Sequence, residues 1–478
     1  MQRWHLTLGL STLAGLGLWL APRLFATPAA TVAIPIDPIP EAEAEAEAEA
    51  VAVNVPIDTP AGHLQVSMGL DRTAVLVGKS EDRWVTVQVT APKDVGEVWR
   101  RPVDLAVVMD VSGSMTARGK IDYARQAAKG LASAVQDGDT FALITFADDA
   151  HVVIPAGPVH DASVVHQAID RIYEGGGTNL YGGLVKGREE VRRTLHAENV
   201  GRVVLLSDGN PTVGIQDGGA LGRLTAEMAA DGVAVSVVGL GVDYNERLLE
   251  QLADMGGGSY DFVNDPSQLQ RVFADELERT AATVARDLVV DLHVADGVEG
   301  LEVVGWPAER IADGWRVNMG SVQAGETKKI VARVRVKSGA EGTTAVAALD
   351  ARYVDLVDQA ERVAHAKAEA TATRDAAVVH ASVDKKSALA AAQAWGNERL
   401  VASTEAFRAG RVAEAEAIAN DAGRGLREMN FSDDLVIAET IQNLDVSAST
   451  WGSAPTASAP AVQAQMKMNR AFARDSSR

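Results

Sequence analysis

The sequence predicts a multidomain chain. At its centre is an α/β domain with a doubly wound, mostly parallel sheet, accompanied by a β-sandwich-like domain and a C-terminal α-helical segment. Three observations carry this. Between residues 102 and 286, apolar runs of strand length alternate with helical stretches. On both sides of that span, apolar residues fall at every second position, the period of half-buried strands. From residue 375 onward the chain turns alanine-rich, a composition that favours helix.

Taken in order, the 478 residues suit two to four domains. In residues 1–30, Arg3 and His5 precede an apolar stretch at 6–20, followed by the small residues of "APRLFATPAA". That is the charged, apolar, small-residue order of a secretory signal. The stretch falls short of the roughly 20 apolar residues of a bilayer span, and no position fits the cleavage rule well. A cleaved signal and a retained membrane anchor both stay open. Either implies an exported chain, in the periplasm or cell envelope or secreted. Residues 31–62 read as an acidic low-complexity linker, because the glutamates of "EAEAEAEAEA" repel one another and the prolines of "PIDPIP" block pairing.

Residues 63–101 are strand-like, with Val85, Val87 and Val89 on one face, and are expected to join the later β-domain. Within 102–286, strands are expected at 103–109, 141–146, 203–206 and 233–240, each as apolar as burial on both faces requires. In "KIDYARQAAKGLASAV" Ile121, Ala124, Ala128, Leu131 and Val135 step by three and four, a helical face. Asp265 is a cap and Pro266 a first helical residue. Strand, helix, strand, helix implies the parallel sheet.

Over 287–374 the period returns to two, at Leu288, Val290, Leu292 and Val294 and again at Ile330, Ala332, Val334 and Val336. In residues 362–373, His365, Lys367, Glu369 and Thr371 alternate with alanines. Propensity says helix and period says strand; the period predicts a hairpin with 346–353. Residues 375–447 read as helices with a turn at Ala409 and Gly410, and the Ser/Ala/Pro-rich 448–478 as a disordered tail.

Composition excludes several functions. With 45 Lys and Arg against 65 Asp and Glu, the net charge of −20 lacks the basic face of a nucleic-acid binder. The absence of cysteine rules out disulfides, thiolate metal sites, thiol nucleophiles and a lipid-modified cysteine.

The chemistry concentrates in "DVSGSM" at residues 110–115, directly behind the first buried run. Ligands of open parallel sheets bind beyond the carboxyl ends of strands, and Asp110 lies at such an end. "YEGGGTNLYGG" places Thr178 after three glycines, whose permissive backbone allows close approach. "VVLLSDGNPTVG" places Asp208 at the end of another central strand. Singly, Ser112 and Ser114 read as a polar turn, Thr178 as a helix cap and Asp208 as a turn-starter. Jointly, Asp110, Ser112, Ser114, Thr178 and Asp208 form an all-oxygen set suited to a hard divalent ion: Mg²⁺, with Mn²⁺ or Ca²⁺ as substitutes.

This ordered pattern resembles the von Willebrand factor type A domain and its metal-ion-dependent adhesion site, over residues 102–286. The wider layout is similar to bacterial exported proteins of that kind. By motif match, the resemblance implies that Asp110, Ser112, Ser114, Thr178 and Asp208 surround the metal. The three hydroxyls would bind directly and the carboxylates mainly through water. The ion's open position would capture an Asp or Glu carboxylate of a partner protein, and a shift of the Thr178 loop would couple metal geometry to affinity.

Enzyme alternatives lack their parts. A haloacid-dehalogenase-type phosphatase needs a second Asp where Ser112 stands. The chain has no complete G-x-G-x-x-G after its first central strand, no P-loop, no H-E-x-x-H and no G-x-S-x-G. A binding protein is therefore expected, not an enzyme. Two other readings stay in play: a scaffold that the metal merely stabilises, and a metal-dependent phosphoryl hydrolase.

Overall fold

In the computed structural model, described over residues 62–93, 100–208, 210–240, 245–263, 265–429, 431, 433–453 and 460–477, the apolar runs become the middle of a six-stranded sheet. The signal-or-anchor segment and nearly all of the acidic linker lie outside the described residues. Among the described residues, three strands come first: β1 (Gln65–Leu70), β2 (Ala74–Leu76) and β3 (Ser80–Thr90). The α/β domain follows, with β4 (Val103–Asp110), α1 (Lys120–Ala134), β5 (Thr140–Phe146), β6 (Ala150–Gly157), α2 (Ala162–Asp170), α3 (Leu180–Thr194) and β7 (Val200–Ser207). It continues through α4 (Gly218–Ala230), β8 (Val233–Leu240), α5 (Glu246–Met255), β9 (Gly257–Val263) and α6 (Leu269–Ala281).

The sheet order is β6-β5-β4-β7-β8-β9, parallel throughout except for antiparallel β6 at one edge. Every residue of β4, β7 and β8 is buried, as helices on both faces demand. Val103, Leu105, Val107 and Met109 face α1, α2 and α6, while Ala106 and Val108 face α3, α4 and α5. Asp265 accepts a hydrogen bond from Ser267 N and Pro266 opens a short 3-10 turn ahead of α6, the start that the sequence indicated.

The remaining strands are β10 (Thr283–Val294), β11 (Val298–Val304), β12 (Ala308–Ile311), β13 (Gly314–Gln323), β14 (Thr327–Lys337), β15 (Gly342–Asp355) and β16 (Ala360–Thr373). They form two sheets, β1-β3-β14-β11 and β12-β13-β10-β15-β16-β2, around one apolar core. Val85, Val87 and Val89 of β3 enter that core from one sheet. Val290 and Leu292 of β10 enter from the other, together with Ala364, Ala366, Ala368, Ala370 and Ala372 of β16. The alanines of β16 thus follow their period and not their helix propensity, because every second one fills the core of a strand paired along its length with β15. Strands from both sides of the α/β unit share this sandwich, so that unit sits as an insertion between β3 and β10.

Among the described residues after β16 are five helices: α7 (Ala376–Ala381), α8 (Lys385–Arg408), α9 (Val412–Glu428), α10 (Leu435–Ser453) and α11 (Pro460–Ser477). Gly410, at φ 78°, turns α8 into α9. Ala391, Leu400, Leu426 and Leu444 of these helices pack with Trp84, Val304 and Val331 on the outer face of the four-stranded sheet.

The expectation of a disordered tail after residue 447 is corrected here: α10 runs on to Ser453, and α11 follows. The reason is that a few apolar groups share one face. Trp451 stacks on Phe407 with ring centroids 4.3 Å apart and donates from Nε1 to Ser403 Oγ at 2.8 Å. Val462 and Met466 complete the cluster. Average composition over the segment hides such a stripe.

Candidate metal site

The chain leaves β4 toward β5 and returns on its other side as β7, so the order reverses between β4 and β7. That is where open α/β sheets hold ligands. The carboxyl end of β4 delivers Asp110, and the residue after β7 is Asp208. Past Asp110 the backbone makes a broken 3-10 turn over Gly113–Gly119, in which Arg118 and Gly119 are left-handed at φ 57° and 67°, before α1 starts at Lys120.

Four of the five expected side chains meet in one hydrogen-bonded chain. Asp110 Oδ1 accepts from Ser112 N at 2.9 Å, and Ser112 Oγ lies 3.0 Å from Ser114 Oγ. Ser114 Oγ in turn donates to Asp208 Oδ1 at 2.6 Å. Asp110, Ser112 and Asp208 are buried, whereas Ser114 is exposed and marks the mouth of the crevice.

Thr178 arrives on a loop fastened from both sides. Gly175 N donates to Val111 O at 2.8 Å and Gly113 N to Gly176 O at 3.2 Å, which lays the loop against the "DVSGSM" turn. On its other flank, Thr178 N donates to Thr212 Oγ1 at 2.9 Å and Thr178 O accepts from Thr212 N at 3.0 Å. Thr178 is itself buried. Space restricts the two glycines next to it: a Cβ on Gly176, at φ 84°, would stand 2.6 Å from Asp148 Oδ2, and one on Gly177 would stand 2.5 Å from Val213 Cγ2. Asn179 then caps α3 by accepting from Gly182 N at 3.0 Å.

The electrostatics point to an under-compensated negative charge. Burial pushes the Asp110 carboxyl up to about 6, against the pull of hydrogen bonds from Ser112 and Ser207, and the charge of Asp208 adds to the rise. The facing cation is Lys120, whose Nζ lies 2.5 Å from Asp208 Oδ2. The ammonium thus serves Asp208, while Asp110 has hydroxyl and backbone donors from Ser112 and Ser207. A desolvated, all-oxygen donor set with surplus negative charge fits a hard divalent cation.

Another group of metal-capable side chains, His63, Asp355 and Asp358, fits less well. There burial raises Asp355, but donation from His63 N at 2.7 Å and Val357 N at 2.9 Å holds its carboxyl below the usual range, and Asp358 pairs with Arg362, so the negative charge is already compensated.

Sequence reasoning missed three contributors. Ser207 Oγ donates to Asp110 Oδ2 at 2.7 Å. Thr212 brackets Thr178, and Lys120 holds Asp208. Ser207 and Thr212 sit within four residues of Asp208, so a search of motif flanks for hydroxyls would have found them. Lys120 carried no such signal.

The model of the von Willebrand factor type A domain matches residues 104–275. The chain is similar to YfbK, an uncharacterized protein of Escherichia coli, with 27% identity over 40% of this chain and 33% of that one. It is likewise similar to an uncharacterized protein of Synechocystis, with 28% identity over 41% of this chain and 47% of that one. It thus spans between a third and a half of the length of these two relatives. Among solved structures, a von Willebrand factor type A protein from Catenulispora acidiphila superposes with a TM-score of 0.63 at 18% identity, over 82% of this chain and 91% of that one. That likeness concerns the fold and extends beyond the α/β unit into the surrounding sheets. Sheet order, helix layers and family match agree: this chain carries a von Willebrand factor type A domain over residues 104–275.

Proposed function

We propose that the chain is an exported binding protein, not an enzyme. Its α/β domain would hold a divalent cation, Mg²⁺ ahead of Mn²⁺ or Ca²⁺, and use it to capture an Asp or Glu carboxylate of a partner protein. One observation carries the reading: Asp110, Ser112, Ser114 and Asp208 join in a chain that is buried at both ends and open to solvent at Ser114 between them. On this reading the hydroxyls of Ser112, Ser114 and Thr178 hold the cation directly, while Asp110 and Asp208 hold its water. A cation bound mainly by neutral oxygens keeps affinity for an anion, and that is the chemistry it supplies. Asp110, Ser207 and the glycine loop keep the site oriented and dry on its inner side.

Export rests on residues 1–30. Among the described residues, no helix is long and apolar enough to cross a membrane. The test is affinity capture from the cell envelope with immobilised chain, run with Mg²⁺, with chelator, and with Ser112→Ala. The reading expects a partner retained only by wild type in Mg²⁺. Equal capture in all three arms would contradict it and favour a scaffold that binds through the sandwich and helices.

A further inference from the structure

Lys120 occupies an unfavourable place for a lysine. It is the first residue of α1, where the positive end of the helix dipole disfavours a cation. Its side chain is nevertheless only 12% exposed, and its ammonium is directed at Asp208, whose side chain is fully buried. The left-handed pair Arg118 and Gly119 brings the start of α1 to that point. Both oxygens of Asp208 are thereby engaged, Oδ1 by Ser114 Oγ at 2.6 Å and Oδ2 by Lys120 Nζ at 2.5 Å.

We propose that Lys120 is a resident counter-cation of the metal site. It anchors Asp208 in the absence of metal and occupies Oδ2, so that only Oδ1, held by the rotatable Ser114 hydroxyl, can turn to a cation or its water, which sets the site for Mg²⁺ over Ca²⁺. The inference builds on the divalent-cation reading above. Its chemistry follows from the two ions' habits. Ca²⁺ takes six to eight oxygens and gains from bidentate carboxylates, whereas Mg²⁺ takes six and keeps several waters. A carboxylate with one oxygen held by an ammonium cannot chelate, but it can still accept from a metal-bound water. The ammonium also repels any dication, so selectivity comes with a lower affinity for both ions. Lys120 is thus a specificity-determining residue, and a ligand to nothing but Asp208.

The test titrates MgCl₂ and CaCl₂ separately, by calorimetry, into the full chain as wild type, Lys120→Met and Lys120→Gln, with melting recorded in chelator. Gln keeps a hydrogen-bond donor and drops the charge, so it reports even if Met prevents folding. The expected result is a wild type that prefers Mg²⁺, variants whose Ca²⁺ affinity rises about tenfold relative to Mg²⁺, and a lower melting temperature in chelator for Lys120→Met. An unchanged Mg²⁺/Ca²⁺ ratio in both variants, with wild type still binding metal, overturns the role of Lys120 alone. Failure of wild type to bind either ion overturns the cation reading and this inference with it.

Discussion

Two buried carboxylates of the same domain, Glu276 on α6 and Asp110 at the end of β4, meet burial with opposite results. Burial pushes Glu276 up as well, but Arg202 and Arg279 outweigh it, aided by hydroxyls of Ser236 and Ser259, and hold the carboxyl below its usual range. Arg279 Nη2 lies 2.9 Å and Arg202 Nε 3.6 Å from its oxygens, and Ser259 Oγ donates at 2.9 Å. Glu276 lines a cavity of about 400 Å³ that it shares with Trp306, Asn318 and Lys328 of the sandwich. Among the described residues Asp110 has only hydroxyl and backbone donors, and its carboxyl rises to about 6. Burial alone therefore does not mark a ligand site. What separates the two is positive charge, which Glu276 has from Arg202 and Arg279 and Asp110 lacks among the described residues.

The comparison breaks most visibly at Glu276. Glu276→Gln leaves Arg202 buried without its charge partner and is expected to lower unfolding free energy by about 3–5 kcal/mol in urea titrations, equally with Mg²⁺ or chelator. The pH dependence has a definite sign. A depressed carboxyl contributes stability that is complete above its unfolded value of 4.5 and is lost as pH falls through the lower folded value. Wild type should therefore lose stability below about pH 4.5 more steeply than Glu276→Gln.

Mg²⁺ comes next. At a hundred times its Kd, it should stabilise wild type by about 2.7 kcal/mol and leave Ser112→Ala unmoved. An equal shift in Ser112→Ala would remove the distinction between the two clusters. The smallest effect, and the one opposite in sign to Glu276, belongs to Asp110→Asn. With chelator at neutral pH it is expected to stabilise by about 1 kcal/mol, because burial disfavours the ionised Asp110 carboxyl, pushed up to about 6, less the acceptor lost to Ser207. A loss of several kcal/mol in that variant would make Asp110 a structural residue like Glu276.

The sequence revealed the central strands because burial on both faces leaves unbroken apolar runs, as in β4, β7 and β8. The half-exposed edge β6 and the glycine-led β9 break that pattern and were not foreseen. Period outranked propensity in β16 because its alanines alternate with charged residues. The helices after residue 447 escaped because a docking stripe of three residues vanishes in an average. The convergence of Asp110, Ser112, Ser114 and Asp208 was legible from spacing, and the close approach of the Thr178 loop from its glycines. Lys120 was not, since only the fold brings the first turn of α1 to the end of β7.

The central claim is that hydroxyls and carboxylates from separate strand ends make one cation socket. Calorimetric titration of the full chain with Mg²⁺, repeated with folded Ser112→Ala and Thr178→Ala, tests it most directly. The expected result is one ion per chain for wild type and none measurable for either variant. Binding undiminished in both variants, or no binding by wild type, would contradict it.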